Sequence, residues 1–144
     1  MSDSAIQVQG LDHFVLRVRD LERSLAFYRD LLGLRIQFLN EYRAGTRPFV
    51  SACIGEQLLD LVPDPAYDPA AGMNAGGFMH VCVRVAHPAM AQLIPLLQAR
   101  GVELIDDQPV PRMGATGMGL SIYVRDPDGY IVELKERNVG RVES

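Results

Sequence analysis

Cysteine is scarce in this chain of 144 residues, and long apolar runs are absent. Two cysteines, Cys53 and Cys82, are too few for a disulfide framework. Each lies in an apolar, strand-like stretch and reads first as a small buried hydrophobe. No apolar stretch is long enough to span a bilayer, so no membrane partner is expected. The N-terminal Met1-Ser-Asp-Ser-Ala-Ile-Gln7 lacks the basic start and apolar run of a secretory signal, and a cytoplasmic location is expected. Basic residues form no tract. Fourteen Lys and Arg stand against eighteen Asp and Glu, a net charge of -4, so no nucleic-acid partner is expected. The glycines of Arg112–Gly119 are not followed by Gly-Lys-Ser/Thr, which excludes a phosphate loop. A hydrophobic content of 48% over this length suits one domain, or two small halves sharing a core.

What is present is a duplication. His13-Phe-Val-Leu-Arg-Val18 returns as His80-Val-Cys-Val-Arg-Val85, and Leu59-Asp60-Leu61 returns as Val132-Glu133-Leu134. Alternation over Leu11–Val18 predicts a strand. Asp20 is an N-cap for a helix with Leu21, Leu25, Tyr28 and Leu32 on its apolar stripe, ended by Gly33. Strands are expected at Leu34–Glu41, Pro48–Ile54 and Gln57–Val62, separated by turns at Ala44–Thr46 and Gly55–Glu56. The second half repeats the order. It has a strand over Phe78–Val85, then a helix over Pro88–Arg100, kinked by Pro95 and closed by Gly101. Strands follow at Val102–Ile105, Leu120–Arg125 and Tyr130–Lys135, the last two joined by the tight Asp126–Gly129 turn. A longer loop is expected at Asp106–Gly119. Each half therefore reads βαβββ: a tail over 1–10, a module over 11–62, a proline- and glycine-rich linker over 63–77, a module over 78–136 and a tail over 137–144.

Strand parity places His13, His80, Asp60 and Glu133 off the helix-packing face. Taken singly, each reads as an ordinary exposed or solvated residue. Recurring in register, two imidazoles and two carboxylates read as a divalent-metal constellation, since both donor types suit first-row metals. Tyr123 shares the parity of Ser121. Its phenol either orients a substrate or donates a proton beside that metal, or it is a plain strand aromatic. His87, before Pro88, reads as a turn residue, and Tyr28 and Tyr42 as core or surface aromatics. The glycine-rich Arg112–Gly119 reads as a mobile lid or as a plain long hairpin loop.

Three strings carry a resemblance: Leu11–Val18, Asp20–Gly33 and, most specific, Tyr123-Val-Arg-Asp-Pro-Asp-Gly-Tyr-Ile-Val-Glu133. From Leu11 to about Glu136 the chain resembles the vicinal oxygen chelate superfamily, the glyoxalase, bleomycin resistance and dioxygenase group. It looks most like the small glyoxalase-domain-containing members. The resemblance implies an α+β fold of paired βαβββ modules, forming a curved, cup-like mixed sheet with helices on the outer face. It also implies that His13, His80 and Glu133 are metal ligands. Asp60 falls where glyoxalases I carry a glutamate. It is one methylene shorter, so it reaches the metal directly, through water, or not at all.

The expected function is that of a divalent-metal-dependent, glyoxalase-like lyase or isomerase. It acts on a small oxygenated metabolite through bidentate chelation and enediolate-type stabilisation. Glu133 or Asp60 moves the proton, with Tyr123 as the third candidate catalytic residue. The cofactor is one of zinc, nickel, manganese, cobalt or iron(II), and the partners are a small-molecule substrate and a second copy in a homodimer. Three alternatives stand: a ferrous dioxygenase, a thiol transferase of antibiotic resistance, and a non-enzymatic small-molecule binding protein.

Overall fold

The computed structural model describes Ala5, residues 7–70 and residues 77–137. Residues 71–76 of the expected linker, and the parts of the two tails at 1–4, 6 and 138–144, lie outside the described residues. The chain divides into two units, Met1–Tyr67 and Asp68–Ser144. Each holds one four-stranded mixed sheet. Among the described residues no helix is long and apolar enough to cross a membrane.

In the first unit, the alternation of His13–Val18 makes β1, with Leu16 and Val18 buried and His13, Val15 and Arg17 exposed. Asp20 caps the helix that follows. Its carboxylate accepts the backbone N–H of Glu22 at 3.0 Å and of Arg23 at 3.4 Å, satisfying two donors left open at a helix start. The expected continuous α-helix is corrected. Only Leu21–Leu25 is α-helical (α1), and Ala26–Leu31 widens into a π-helical turn. The wider turn lets the adjacent aromatics Phe27 and Tyr28 both be buried, packed edge to face at 4.9 Å. Gly33 ends the turn with a φ of +72°.

The expected strand Leu34–Glu41 is also corrected. Only Ile36–Gln37 pairs, as β2, and Leu39–Arg43 forms a short helix, α2. The break is at Phe38, whose φ of +69° turns the chain out of the extended region. The Arg47 guanidinium lies 3.7 Å from the Phe38 ring centroid and fixes that corner. Val50–Ile54 (β3) and Gln57–Pro63 (β4) complete the sheet in the order β1-β4-β3-β2, with β1 and β4 parallel. α1 packs on β4 over Leu59 and Leu61, both fully buried.

In the second unit, Val81–Val85 is β5 and Met90–Ala99 is a helix, α3, that runs through Pro95. His80 precedes β5 and is not part of it, although a strand from Phe78 was expected. Val102–Ile105 is not a strand. It meets the sheet through a single bridge, Leu104 to Val124. The third strand comes instead from the segment expected to be a loop. Val110–Gly114 is β6, joined by the Ala115–Thr116 turn to the long β7, Gly117–Arg125. Arg112–Gly119 is thus a paired hairpin and not a lid. Its glycines hid the strand, because glycine weakens the strand signal. Ile131–Glu136 is β8, and the order is β5-β8-β7-β6 with β5 and β8 parallel. At the Asp126–Gly129 turn, Asp126 Oδ1 accepts the N–H of Asp128 and of Tyr130, both at 2.9 Å. α3 packs on β7, with Leu93, Leu97, Ile122 and Leu134 buried. Both units are βαβββ, and the fold is α+β.

Candidate metal centre

Each sheet buries its acid on the face opposite the helix. On β4, Leu59 and Leu61 point to the apolar layer and Asp60 to the other side. On β8, Val132 and Leu134 point inward and Glu133 opposes them. The acids are 7% and 5% exposed, so each needs hydrogen-bond donors. Serines supply them. Ser51 Oγ donates to Asp60 Oδ1 at 2.6 Å, and Ser121 Oγ donates to Glu133 Oε2 at 2.7 Å. In both acids one carboxylate oxygen is thereby taken by a hydroxyl.

The histidines stand at matching places. His13 registers with Leu58, so Asp60 lies two residues further along the neighbouring parallel strand, on the same face. Val15 stands opposite Asp60, and its counterpart Cys82 stands opposite Glu133, two residues after His80. The second unit closes this arrangement into a contact, with His80 Nε2 3.1 Å from Glu133 Oε1. In the first unit, His13 Nδ1 turns to Asp12 Oδ1 at 2.7 Å. That hydrogen bond, with the charge of Asp60 adding to it, raises the His13 pKa above the usual imidazole value. It engages Nδ1 and leaves Nε2 for another partner, the role an outer carboxylate plays toward a ligating histidine.

Tyr123 joins the second-unit cluster. It registers with Glu133, stands edge to face with His80 at 5.6 Å, and its hydroxyl accepts from Arg112 Nε at 3.2 Å. Burial and hydrogen bonding to Glu133 raise its pKa, with Arg112 opposing, so the phenol keeps its proton. Cys82 is the residue that reading from the sequence misplaced. It is exposed as a residue and faces Glu133, and it is no part of the apolar layer. Partial burial of the sulfur and the Glu133 carboxylate push its thiol up to about 11. Its parity with His80 was the available signal. Ser51, Lys135 and Asp12 also escaped attention, because their roles depend on cross-strand register or on a rotamer.

The donor set fits a divalent ion in chemistry. His80 Nε2 and Glu133 Oε1, 3.1 Å apart, are the nitrogen and oxygen donors that would hold a first-row divalent ion. Within either unit, among the described residues, no group of three His, Cys, Asp or Glu side chains converges, so each unit offers two donors. Two open clefts of the first unit, one beside Arg19 and Tyr42 and one beside Gln9 and Gln57, are bordered by neither His13 nor Asp60.

Comparison with known proteins bears on the family and the fold. The virulence protein STM3117 of Salmonella typhimurium is 30% identical over 130 residues, covering 90% of this chain and 85% of the relative. Its crystal structure matches with a TM-score of 0.71 at 26% identity, over 92% of this chain and all of that one. The glyoxalase domain-containing protein RDO1 of Mycosarcoma maydis is 32% identical over 90% of this chain and 69% of its own length. A lactoylglutathione lyase of Pseudomonas aeruginosa is 25% identical over 95% and 88%. The family model described as Glyoxalase/Bleomycin resistance protein/Dioxygenase superfamily matches residues 10–134. The chain belongs to that superfamily.

Proposed function

We propose that the protein is a divalent-metal-dependent lyase or isomerase of the glyoxalase type, acting on a small oxygenated metabolite as a homodimer. His80 and Glu133 are ligands, and His13 and Asp60 supply the matching pair. The observation that carries this reading is the 3.1 Å pair of His80 Nε2 and Glu133 Oε1, with Glu133 oriented by Ser121. The lyase among the relatives supports the reaction class.

A divalent ion supplies Lewis acidity to a substrate that offers two adjacent oxygens. The chain's own residues do the rest. Ser121 holds Oε2 of Glu133, and Oε1, on the His80 side, takes or returns a proton. Asp60 is the second such base, fixed in the same way by Ser51. Tyr123 keeps its proton and donates a hydrogen bond to a substrate oxygen, while Arg112 holds the phenol in place.

The test is metal content by elemental analysis of untagged, chelator-free protein, beside His13→Ala, His80→Ala and Glu133→Ala. The expected result is close to one ion per chain in the wild type and at least a tenfold loss of affinity in each variant, in the range for removal of groups around a site. A wild type that holds no metal, and takes none up on titration, would remove the enzyme reading and leave a binding protein. Iron as the sole metal taken up would turn the assignment to oxygen chemistry.

A further inference from the structure

Among the described residues, two buried side-chain atoms have no hydrogen-bond partner: Arg47 Nε and Lys135 Nζ. Arg47 has aromatic company, since its guanidinium lies over the rings of Phe38 and Phe49. Lys135 has no such contact among the described residues. It is 5% exposed. A buried ammonium without a partner is unfavourable, and protein folds remove such a group unless something is bound to it.

Lys135 lies on the face of the sheet that carries the acid. It follows Glu133 by two residues on β8, about 6.6 Å along the strand. Its partner on β7 is Ser121, the residue that donates to Glu133. Lys135 Nζ makes no hydrogen bond to Glu133, whose oxygens lie against His80 and Ser121. The lysine stem runs across β7 toward β6, over glycines. A Cβ at Gly114 would stand 2.5 Å from Lys135 Cε, and one at Gly119 would stand 2.7 Å from Nζ. Neither glycine has a positive φ, so space and not backbone conformation accounts for both. Two unfavourable features, glycines inside a hairpin and an unpaired buried cation, thus meet at one place. The glycines make room for the lysine stem, and a bound anion would supply the partner its ammonium lacks.

We propose that Lys135 anchors the substrate: its ammonium takes an oxyanion of the small molecule, a carboxylate or a phosphate-type group, one side-chain row beyond the oxygens presented to His80 and Glu133. The proposal rests on the reading of the His80–Glu133 pair as the reacting end. It narrows the substrate class to anionic metabolites whose charged group lies on the β6–β7 side of the reacting oxygens.

The test is thermal melting of the full chain at constant ionic strength, with chloride replaced by inorganic phosphate or by acetate, before and after chelator treatment. The expected result is a saturable rise in Tm, roughly 3 °C or more at tenfold over Kd. Lys135→Met keeps the stem and removes the charge; it should melt no lower than wild type in chloride and lose the rise. Gly114→Ala, which crowds the stem, should shrink it. A rise with phosphate alone supports a phosphate-type group, and a rise with acetate alone supports a carboxylate. No rise with either, or an undiminished rise in Lys135→Met, overturns the proposal. If Lys135→Met does not fold, the Lys135 Nζ resonance of 15N-lysine-labelled wild type decides: it moves with the oxyanion or the proposal falls. Metal uptake and the rise in Tm, both read on the wild type, separate the two claims. A protein that binds no metal yet keeps the rise loses only the enzyme reading; one that binds metal without the rise loses only the anchor.

Discussion

Glu133 is surrounded by groups that each hold a proton toward it: the Ser121 hydroxyl, the Cys82 thiol and the Tyr123 phenol, with His80 completing the ring. Burial first, and the Glu133 carboxylate second, push the Cys82 thiol up to about 11 from an ordinary 9.0. The sign follows directly. The folded thiol stays protonated where the unfolded one ionises, so the contact favours folding below pH 9, and that contribution is lost as the pH rises toward 11. In chelator-treated protein with Cys53→Ser, iodoacetamide should therefore alkylate Cys82 at pH 8 on the order of a hundredfold more slowly than an ordinary free thiol. Replacing Glu133 by Gln should speed the reaction; an unchanged rate would mean that Glu133 does not face the sulfur. At this scale the sequence made four residues legible, His13, Asp60, His80 and Glu133, because each appears twice in register. Ser51, Cys82 and Lys135 were not legible. A serine on the neighbouring strand, a thiol across from an acid, or a lysine lying over glycines becomes meaningful only once the strands are paired.

The elements followed the sequence where side-chain period and caps agreed, and departed where one residue overrode the period. β1, β3, β4, β7 and β8 lie within about two or three residues of the alternating runs that predicted them. The run after Gly33 failed at Phe38, since a single left-handed residue redirects a strand that local propensity would continue. β6 was hidden by the same glycines that make room for Lys135. The clearest local signal was Asp20 before Leu21. Asp20→Ala should cost about 1 kcal/mol by removing two accepted N–H bonds at the start of α1, measured as a lower denaturant midpoint at unchanged slope. Because the π-helical turn that follows carries Phe27 and Tyr28 into the apolar layer, a loss well beyond that figure would mean that the cap also holds the turn.

At the scale of the whole chain, duplication produced two βαβββ units that share a plan and differ in detail. Cys82 occupies the place of Val15, and Lys135 the place of Val62. The second copy sets a phenol and a thiol beside its acid and carries a buried lysine on the same strand, while the first has a plainer pair. The plan was legible because a repeat multiplies weak local evidence, whereas the differences between copies have no internal template to be read against. Each unit also closes its own four-stranded ladder of backbone hydrogen bonds over its own apolar layer. Opening one ladder therefore breaks none of the backbone hydrogen bonds within the other. Native-state amide exchange should sort the β1–β4 amides and the β5–β8 amides into two groups with different opening free energies. A single common value would mean that the halves, though copied separately, unfold as one.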